Sequence, residues 1–373
     1  MKILCVRNFA NTPNLDTYNL QEIGLAQALA NKGISVDIVY FTKGNERGIS
    51  YYETPNAKVK IFYMKAWRIL SNAIYLKILK KDFLNNYDFI ISTEYNQIMT
   101  YLLCVKCPNK VILYHGPYKT YHKILEFIYD RLFLKTIVKN VKLVIAKSTF
   151  AKEFLEKKGF KDVKVVGVGL DIKKFEEGKK GTTENDLIKK IKGRTSLLWI
   201  GRFDKEKNFM FLLNILSKLK EKENNKKFCM IIVGDGEVKN KKMFFEYAQK
   251  LGIINDIVYY PSVRQDEIVS FYKSADVFVF PSYYEIFGMV LLESMYFGLP
   301  VISSRNGGAI ELIKNGYNGF IVNDFDVNKW VEIIIRLVND HQLKKKIGAN
   351  AMETIQKHFV WDVLVEKFIL NLY

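Results

Sequence analysis

The stretch that decides the fold is Pro281-Ser282-Tyr283-Tyr284-Glu285-Ile286-Phe287-Gly288-Met289-Val290-Leu291-Leu292-Glu293-Ser294-Met295. It follows a short apolar run at residues 276–280, which is rich in Val and Phe and predicts a buried parallel strand. Residues 289–296 predict a helix, whose first turn presents free backbone N–H groups and the positive end of the helix dipole. Gly288 lets a ligand approach the backbone at that point, so we expect an anion there, above all a phosphate.

The acids Glu285 and Glu293 are separated by seven residues across this predicted strand-to-helix junction. Over eight helical steps their carboxylates would lie roughly 12 Å apart, which is farther than the about 5 to 9.5 Å that separates the acid and base of a glycoside hydrolase. We therefore expect the two carboxylates to address different parts of one ligand. The alternative is a buried helix that carries two incidental acids.

In this spacing the chain resembles the retaining glycosyltransferases of family 4, also described as glycosyl transferases group 1, which share an E-x7-E element. The resemblance implies the α/β fold called GT-B, in which two Rossmann-like, doubly wound parallel-sheet domains face a central cleft. It also implies that Glu285 contacts the donor sugar and that Glu293 contacts the ribose hydroxyls. Gly288, Met289 and Val290, at the start of the helix, would then hold the donor diphosphate.

A loop with two cations follows another predicted strand, in the sequence Gly201-Arg202-Phe203-Asp204-Lys205-Glu206-Lys207-Asn208. Two cations five positions apart can clamp both phosphates of a leaving nucleotide. The same resemblance, through G-R-x4-K-N, implies that Arg202 and Lys207 stabilise the charge that grows on the diphosphate, with Gly201 beside the donor. The alternative is a set of surface cations, and Lys205 fits that interpretation better.

His115 directly follows the apolar run at residues 111–114, at the carboxyl end of a predicted strand, where open α/β sheets bind ligands. The resemblance implies a catalytic position near the reacting centre. Gly234 follows another apolar strand and is predicted to allow close approach of the nucleotide, with a simple turn as the alternative. By resemblance, Arg264 lies in the region used near the base.

No metal and no cofactor are expected beyond the nucleotide-sugar donor. Asp324-Phe325-Asp326 is a D-x-D sequence, but we interpret it as the cap of the helix that follows. The cationic loop and the helix start supply the positive charge that a metal ion would supply. The resemblance also implies retention, with attack on the face from which the nucleotide leaves. The loop at residues 7–14 lacks the family's glycine pair, so no acceptor contacts are predicted.

The composition indicates a globular protein with an uneven positive charge. The formal net charge is +18, and residues 51–150 hold 16 Lys and Arg against 6 Asp and Glu. Basic segments there alternate with aromatic and aliphatic residues, which suits an anionic membrane surface, although lysines that merely solvate helix faces are the alternative. No apolar stretch reaches the roughly 18 to 20 residues of a membrane span, and no signal peptide is apparent, so we expect a cytoplasmic protein that binds peripherally to the inner membrane face.

A chain of 373 residues is long for one core and suits two domains. Alternating strand and helix patterns predict an acceptor-side domain at residues 1–169 and a nucleotide-sugar domain at residues 170–356. The predicted strands are residues 2–6, 35–40, 59–63, 89–92, 111–114, 143–146 and 163–168 in the first domain, and 196–200, 228–233, 257–260, 277–280, 301–303 and 319–322 in the second. Asn19 and Glu22 resemble a capping box for the first helix, with Gly33 as its stop. The polar residues 176–194 are interpreted as a linker or surface loop, and residues 357–373 as a helix that returns to the first domain.

The resulting hypothesis is a metal-independent retaining glycosyltransferase that moves a sugar from a nucleotide sugar, with UDP as the expected nucleotide, to a glycan or lipid-linked acceptor. The products would be surface polysaccharide or glycolipid. The first alternative is a nucleotide-sugar epimerase or a phosphorylase on the same fold. A basic nucleic-acid-binding protein is a remote alternative, because no known DNA- or RNA-reading motif supports it, and nucleic acid is therefore not an expected partner.

Overall fold

The computed structural model of the chain describes residues 1–15, 20–176, 182–264 and 266–372. It divides into two compact units: unit 1 is Met1–Gly169 together with Trp361–Tyr373, and unit 2 is Leu170–Val360. Each unit is a parallel α/β sheet with helices packed on it. The predicted fold class, two Rossmann-like parallel-sheet domains, is confirmed.

Unit 1 is built on strands that are mostly runs of buried Ile, Val and Leu, as expected for a sheet covered on both faces. Its strands are β1 Lys2–Val6, β2 Ser35–Phe41, β3 Arg47–Glu53, β4 Lys58–Met64, β5 Trp67–Ile69, β6 Asn72–Ile74, β7 Phe89–Thr93, β8 Val111–His115, β9 Val141–Ala146 and β10 Lys164–Val165. Its helices are α1 Gln21–Asn31, α2 Lys81–Leu84, α3 Ile98–Lys106, α4 Lys123–Tyr129, α5 Lys135–Asn140, α6 Thr149–Lys157 and, at the end of the chain, α16 Trp361–Leu370.

The main sheet of unit 1 has the order β10-β9-β8-β7-β1-β2-β4-β3. The antiparallel pair is β3 with β4, and the other neighbouring strands are parallel. Because the chain builds outward in both directions from β1, the sheet is doubly wound. Strands β5 and β6 form a separate antiparallel hairpin.

Unit 2 repeats this architecture around another central strand. Its strands are β11 Thr195–Ile200, β12 Phe228–Val233, β13 Ile257–Tyr260, β14 Val277–Phe280, β15 Val301–Ser304 and β16 Phe320–Val322. Its helices are α7 Lys173–Glu176, α8 Thr182–Ile191, α9 Phe209–Lys222, α10 Val238–Lys250, α11 Ile268–Ser274, α12 Met289–Tyr296, α13 Ala309–Leu312, α14 Val327–Asn339 and α15 His341–His358. The strand order is β13-β12-β11-β14-β15-β16, and all of these pairs are parallel.

The polar linker predicted at residues 176–194 is wrong in its main part, because α8 occupies Thr182–Ile191. This helix is amphipathic and buries Leu187, so its polar composition reflects an exposed outer face. The capping residue Asn19 lies outside the described residues. Helix α1 begins at Gln21, and Gly33 follows its end with a φ of 79°, which confirms the predicted stop.

The strands β3, β5 and β6 are absent from the predicted series, and β10 is shorter than the predicted strand at residues 163–168. Strand β3 is a mostly exposed edge strand, so it lacks the apolar run by which the other strands are recognised. The last helix starts at Trp361, since α15 continues to His358. Within the described residues, none of the helices combines the length and the apolar character that crossing a bilayer requires.

Candidate active site

The candidate site of unit 2 lies where the sheet changes direction. Strands β11 and β14 are neighbours, and the connections that leave their carboxyl ends run to opposite sides of the sheet, from β11 to β12 and from β14 to β15. Open α/β sheets bind ligands at such a topological switch point. The cationic loop at residues 201–208 follows β11, and the loop that carries Glu285 follows β14. The two motifs that the sequence singled out therefore meet at one edge of the sheet.

Lys207 and Glu285 form an ion pair between Nζ and Oε2 at this edge. Both side chains are 17% exposed, so the pair is largely withdrawn from water. A backbone hydrogen bond from Tyr283 N to Glu206 O, 2.7 Å long, joins the two loops directly. Lys207 Nζ also lies 5.8 Å from the centroid of the Phe280 ring. The structure thus brings a cation and a carboxylate together on loops that hold each other in place.

Helix α12 starts beside this pair, at Gly288, which has a φ of 77°. A Cβ atom there would lie 3.2 Å from both Glu285 Cγ and Phe280 Cε1, so glycine suits both the backbone angle and the space. The N–H groups of Met289 and Val290 lie in the first turn of the helix, where backbone N–H groups have no carbonyl partner within the helix. The arrangement of a cation next to a helix start is suited to an anion.

The glycines of the neighbouring loops allow backbone to pack on backbone. Gly234 has a φ of 140°, and a Cβ atom there would lie 1.9 Å from the carbonyl oxygen of Gly201. At Gly308 a Cβ atom would lie 1.5 Å from the carbonyl oxygen of Phe287. The predicted residues Gly201 and Gly234 are thus brought together, and the close approach that Gly234 permits in this structure is that of the Gly201 backbone.

Glu293 is buried inside α12 and accepts a hydrogen bond of 2.6 Å from the Tyr272 hydroxyl through Oε2. Burial, followed by the charge of Glu293, raises the pKa of Tyr272 well above its ordinary value, so the phenol remains a donor. The carboxylate is thereby oriented from within the unit. Its predicted contact with ribose hydroxyls stays a prediction.

The two predicted arginines are not drawn into the Lys207–Glu285 pair. Arg202 is 78% exposed and its guanidinium pairs with Asp204 at 3.0 Å. Arg264 follows β13, which is two strands away from β11 at the edge of the sheet, and its Nε donates to Asp266 at 2.9 Å. The clamp predicted from Arg202 and Lys207 is therefore represented in the structure by Lys207, with Arg202 on the surface.

A second cluster lies in unit 1, at the carboxyl ends of three adjacent strands. Glu94 follows β7, His115 is the last residue of β8, and Lys147 follows β9. Nδ1 of His115 lies 2.7 Å from Oε2 of Glu94, and Nζ of Lys147 lies 3.6 Å from Oε1 of the same carboxylate. The backbone N–H of Gly116 donates to Glu94 at 3.0 Å.

The charge of this cluster is set by its burial and its pairs. Burial alone would raise the pKa of Glu94, but Lys147, His115 and the Gly116 N–H outweigh it and lower that pKa to about 2. Nδ1 of His115 lies 2.7 Å from the Glu94 carboxylate and 3.4 Å from the backbone N–H of Tyr95, and the shorter contact to the ionised carboxylate favours a proton on Nδ1. Among the described residues, His115 Nε2 has no hydrogen-bond partner.

The His115 ring is fully buried, next to the rings of Tyr95 and Phe154. A sugar reaching Nε2 would therefore require neighbouring side chains to move. Glu94 and Lys147, which are 21 and 32 residues from His115, were not among the predicted site residues. The signal was nevertheless present, because Lys147 directly follows a predicted strand and Glu94 lies two residues after another, and the carboxyl ends of adjacent parallel strands share one edge.

The D-x-D sequence acts as a helix cap in this structure. Asp326 is the N-cap of α14, and its Oδ1 accepts from the Asn328 N–H at 3.0 Å. Asp324 is exposed and pairs with Lys329. In the part of the chain that the structure describes, no three His, Cys, Asp or Glu side chains gather in a way suited to a metal ion.

Two family profiles match the chain and divide it between them. The profile described as Glycosyltransferase Family 4 matches residues 23–174, and the profile described as Glycosyl transferases group 1 matches residues 182–354. The fold and the site thus define a glycosyltransferase with two Rossmann-like domains. The two matches together span most of the chain, and the resemblance to the family 4 glycosyltransferases, or glycosyl transferases group 1, is confirmed.

Several curated proteins are similar to this chain. An uncharacterized glycosyltransferase of Methanocaldococcus jannaschii is 31% identical over 177 residues, which span 48% of this chain and 44% of that protein. Another from the same organism is 28% identical over 337 residues, spanning 86% of this chain and 80% of its relative. A D-inositol 3-phosphate glycosyltransferase of Corynebacterium diphtheriae is 27% identical over 209 residues, spanning 55% and 49%. For the first and the third, the match thus spans less than half of the relative.

Solved structures share the fold over the whole chain. Sucrose-phosphate synthase from Thermosynechococcus elongatus has a TM-score of 0.77 at 18% identity and covers 99% of this chain and 97% of its own. Anabaena HepE, solved in complex with UDP-glucose, has a TM-score of 0.73 at 18% identity and covers 100% and 99%. At this identity the likeness establishes the GT-B fold.

Proposed function

We propose that the protein is a metal-independent, retaining glycosyltransferase that transfers a sugar from a UDP-linked donor to a glycan or lipid-linked acceptor. The observation that carries the proposal is the Lys207–Glu285 ion pair beside the start of α12, at the switch point of the sheet. The UDP part is supported by structures of the same fold that contain UDP or UDP-glucose.

The proposal divides the donor between the two members of the pair. Lys207 and the N–H groups of Met289 and Val290 bind the diphosphate, because both present positive charge to one point. Glu285 accepts hydrogen bonds from sugar hydroxyls. In the free enzyme each charge neutralises the other, so neither is left unpaired in a partly buried place. Arg202 joins the phosphates by a rearrangement of its exposed side chain.

The reaction then proceeds with few groups from the protein. The bond between the anomeric carbon and the diphosphate oxygen breaks, and its electron pair stays on the nucleotide. The acceptor hydroxyl oxygen bonds to the anomeric carbon from the same face, and its proton passes to an oxygen of the leaving diphosphate. Lys207 stabilises the charge that develops on that oxygen. The resemblance adds His115 to the proposal as a further catalytic residue.

The first test is a panel of nucleotide sugars, scored by thermal shift of the protein and by release of nucleotide. We expect a UDP sugar to give the largest thermal shift. Nuclear magnetic resonance of the product should show the same anomeric configuration as in the donor. A chelator should leave the rate unchanged. Inversion at the anomeric carbon, or activity that depends on an added divalent cation, would contradict those parts of the proposal.

The second test replaces the members of the pair. Lys207→Ala and Glu285→Gln should each lower kcat roughly a hundredfold or more, because each removes a group that acts on the reacting donor. Lys205→Ala is the matched control, since Lys205 is an exposed cation in the same turn. Full activity in either site variant, with donor binding unchanged, would reject the assignment. Conversion of the free nucleotide sugar without any acceptor would instead indicate the epimerase alternative.

A further inference from the structure

The helical segment that follows His115 in unit 1 has an outer face with no partner of its own among the described residues. Helix α4, a π-helical turn at Asp130–Leu134 and α5 form one continuous helix, because the joining residues Asp130 and Lys135 have helical backbone angles. Its inner face is anchored in unit 1. The Tyr129 hydroxyl donates to the carbonyl oxygens of Tyr95 and Gln97 at 3.0 and 2.9 Å.

The outer face is apolar in its first turns, where a surface helix is normally polar. Ile124 is 77% exposed, Phe127 65% and Leu132 62%, and Leu125 and Ile128 are exposed as well. Large apolar side chains that are scattered singly need no explanation, but a contiguous group of them marks a surface that binds something. Exposure of these side chains does not stabilise the fold, because contact of apolar surface with water costs free energy in proportion to its area.

The same outer face carries only positive charge. Residues 119–142 contain 6 Lys and Arg and 2 acids. Both acids, Glu126 and Asp130, are turned inward, where they pair with Lys158, which directly follows α6. Arg131, Lys135 and Lys139 are exposed along the later turns. The charge that this face offers to a partner is therefore uniformly cationic, which favours an anionic one.

A second exposed apolar element lies at the same edge of the sheet. The β5–β6 hairpin follows the carboxyl end of β4, and its strands expose Trp67 while its turn exposes Leu70. The hairpin is held at that edge by the loop after β1, because Ala73 N donates to Asn8 O at 2.8 Å and Ala10 N donates to Ser71 O at 2.9 Å. Exposed tryptophan and leucine beside Arg68 are the side chains expected at a membrane interface.

We propose that these two elements, the outer face of α4–α5 and the β5–β6 hairpin, form a docking surface for an anionic phospholipid bilayer. The apolar residues of the first turns enter the boundary between headgroups and acyl chains, and the cations of the later turns bind lipid phosphates. Helix α4 begins eight residues after His115, at the carboxyl edge of the sheet. The docking surface therefore adjoins the edge that carries the candidate catalytic histidine.

The docking surface also suggests how the acceptor reaches the site. This second step rests on the proposed function, whereas the docking itself does not. An acceptor that is anchored in the bilayer would be delivered to the His115 edge without first leaving the membrane. The class of acceptor that fits is a lipid-linked sugar or a glycolipid headgroup.

The test uses the full chain and flotation with vesicles of phosphatidylcholine, alone or mixed with phosphatidylglycerol. The wild-type protein should float with the mixed vesicles and remain behind with phosphatidylcholine alone. The apolar variant Ile124→Gln/Phe127→Gln/Ile128→Gln should bind the mixed vesicles at least about tenfold more weakly, because its first turns no longer enter the interface. The charge variant Arg131→Gln/Lys135→Gln/Lys139→Gln should lose roughly a hundredfold, at about 1 kcal/mol for each cation near the surface.

Matched controls come from α10 of unit 2, which also exposes cations and apolar residues. Lys239→Gln/Lys242→Gln/Lys250→Gln removes the same charge, and Val238→Gln/Met243→Gln removes exposed apolar side chains. Both should float as the wild type does. Equal binding of all variants, or equal binding to neutral and anionic vesicles, would overturn the proposal.

Two further outcomes separate the remaining possibilities. If light scattering finds a dimer without vesicles, and the apolar variant is a monomer, the face joins two copies of the chain and the bilayer proposal is wrong. Binding of a UDP sugar is measured in parallel by thermal shift, and all docking variants should retain it. If the wild-type protein floats with the mixed vesicles but binds no UDP sugar, the proposed function is wrong and the docking proposal is still supported.

Discussion

At the scale of single residues, Glu94 couples the stability of unit 1 to pH. Its pKa is about 2 in the folded chain against an ordinary value of 4.5, so folding favours the ionised carboxylate. Because the folded pKa is the lower one, the stabilisation is complete above about pH 4.5 and is lost as the pH falls toward 2. The cluster of Glu94, His115 and Lys147 thus depends on a charge that acid removes.

Glu94→Gln should lower the free energy of unfolding at pH 7 by roughly 3 to 5 kcal/mol, because it leaves the buried Lys147 cation without its partner. The variant should also lose less stability than the wild type between pH 4.5 and pH 2. Urea unfolding followed by circular dichroism at several pH values measures both effects. Glu153→Gln, at an exposed acid of α6, removes the same charge and should change neither; an equal loss in the two variants would contradict the assignment.

At the scale of elements, the best predicted strands are those that their own residues identify, without information from neighbouring strands. The strands β12, β13 and β14 have the predicted limits, since a run of buried apolar residues identifies a central parallel strand without reference to its neighbours. Strand β3 is mostly exposed and forms because it pairs with β4, and this pairing cannot be read from the residues of β3 alone. Helix α8 is similar, as its polar outer face conceals the buried position Leu187.

The candidate site was predictable to the same extent. The motifs located Lys207 and Glu285, because each lies in the loop after a recognisable strand. Their pairing depends on β11 and β14 being neighbours, and that adjacency arises from the order of strands in the sheet. The exposed positions of Arg202 and Arg264 have a local cause, because Asp204 and Asp266, two residues after each arginine, pair with its guanidinium.

The loops that carry the site depend on glycine for backbone contact, which gives a prediction at this scale. Gly308→Ala would place a Cβ atom 1.5 Å from the Phe287 carbonyl oxygen, so the loop before α12 must shift. We expect a loss of about 3 kcal/mol in unfolding free energy, at the upper end for overpacking, and at least a tenfold weaker donor affinity.

Gly316→Ala is the control for this prediction. Gly316 has a φ of 75°, and a Cβ atom added there would have no described neighbour within 4 Å, so alanine meets backbone strain without a clash. It should cost about 1 to 2 kcal/mol and leave donor affinity unchanged. Chemical unfolding and titration with a UDP sugar measure the two quantities. Equal donor affinity in the two variants would show that the close packing at Gly308 does not support the site.

At the scale of the whole molecule, the chain closes unit 1 with its last helix. After running through unit 2, it returns at Trp361, and α16 packs on α1 within unit 1. The Trp361 ring occupies a slot walled by two glycines. A Cβ atom at Gly24 would lie 2.2 Å from that ring, and one at Gly169 would lie 2.5 Å from it. Residues from the two ends of the sequence thus share one core.

Trp361→Ala should therefore destabilise unit 1 by roughly 3 to 5 kcal/mol, because it empties a fully enclosed site. Hydrogen exchange, read by mass spectrometry, should rise in β1, α1 and α16 and stay unchanged in β11, β12 and β14 of unit 2. Leu370→Ala, at an exposed position of the same helix, should stay within about 0.5 kcal/mol of the wild type. Exchange that rises equally in the two units would mean that they unfold as one, and that the last helix does not belong energetically to unit 1 alone.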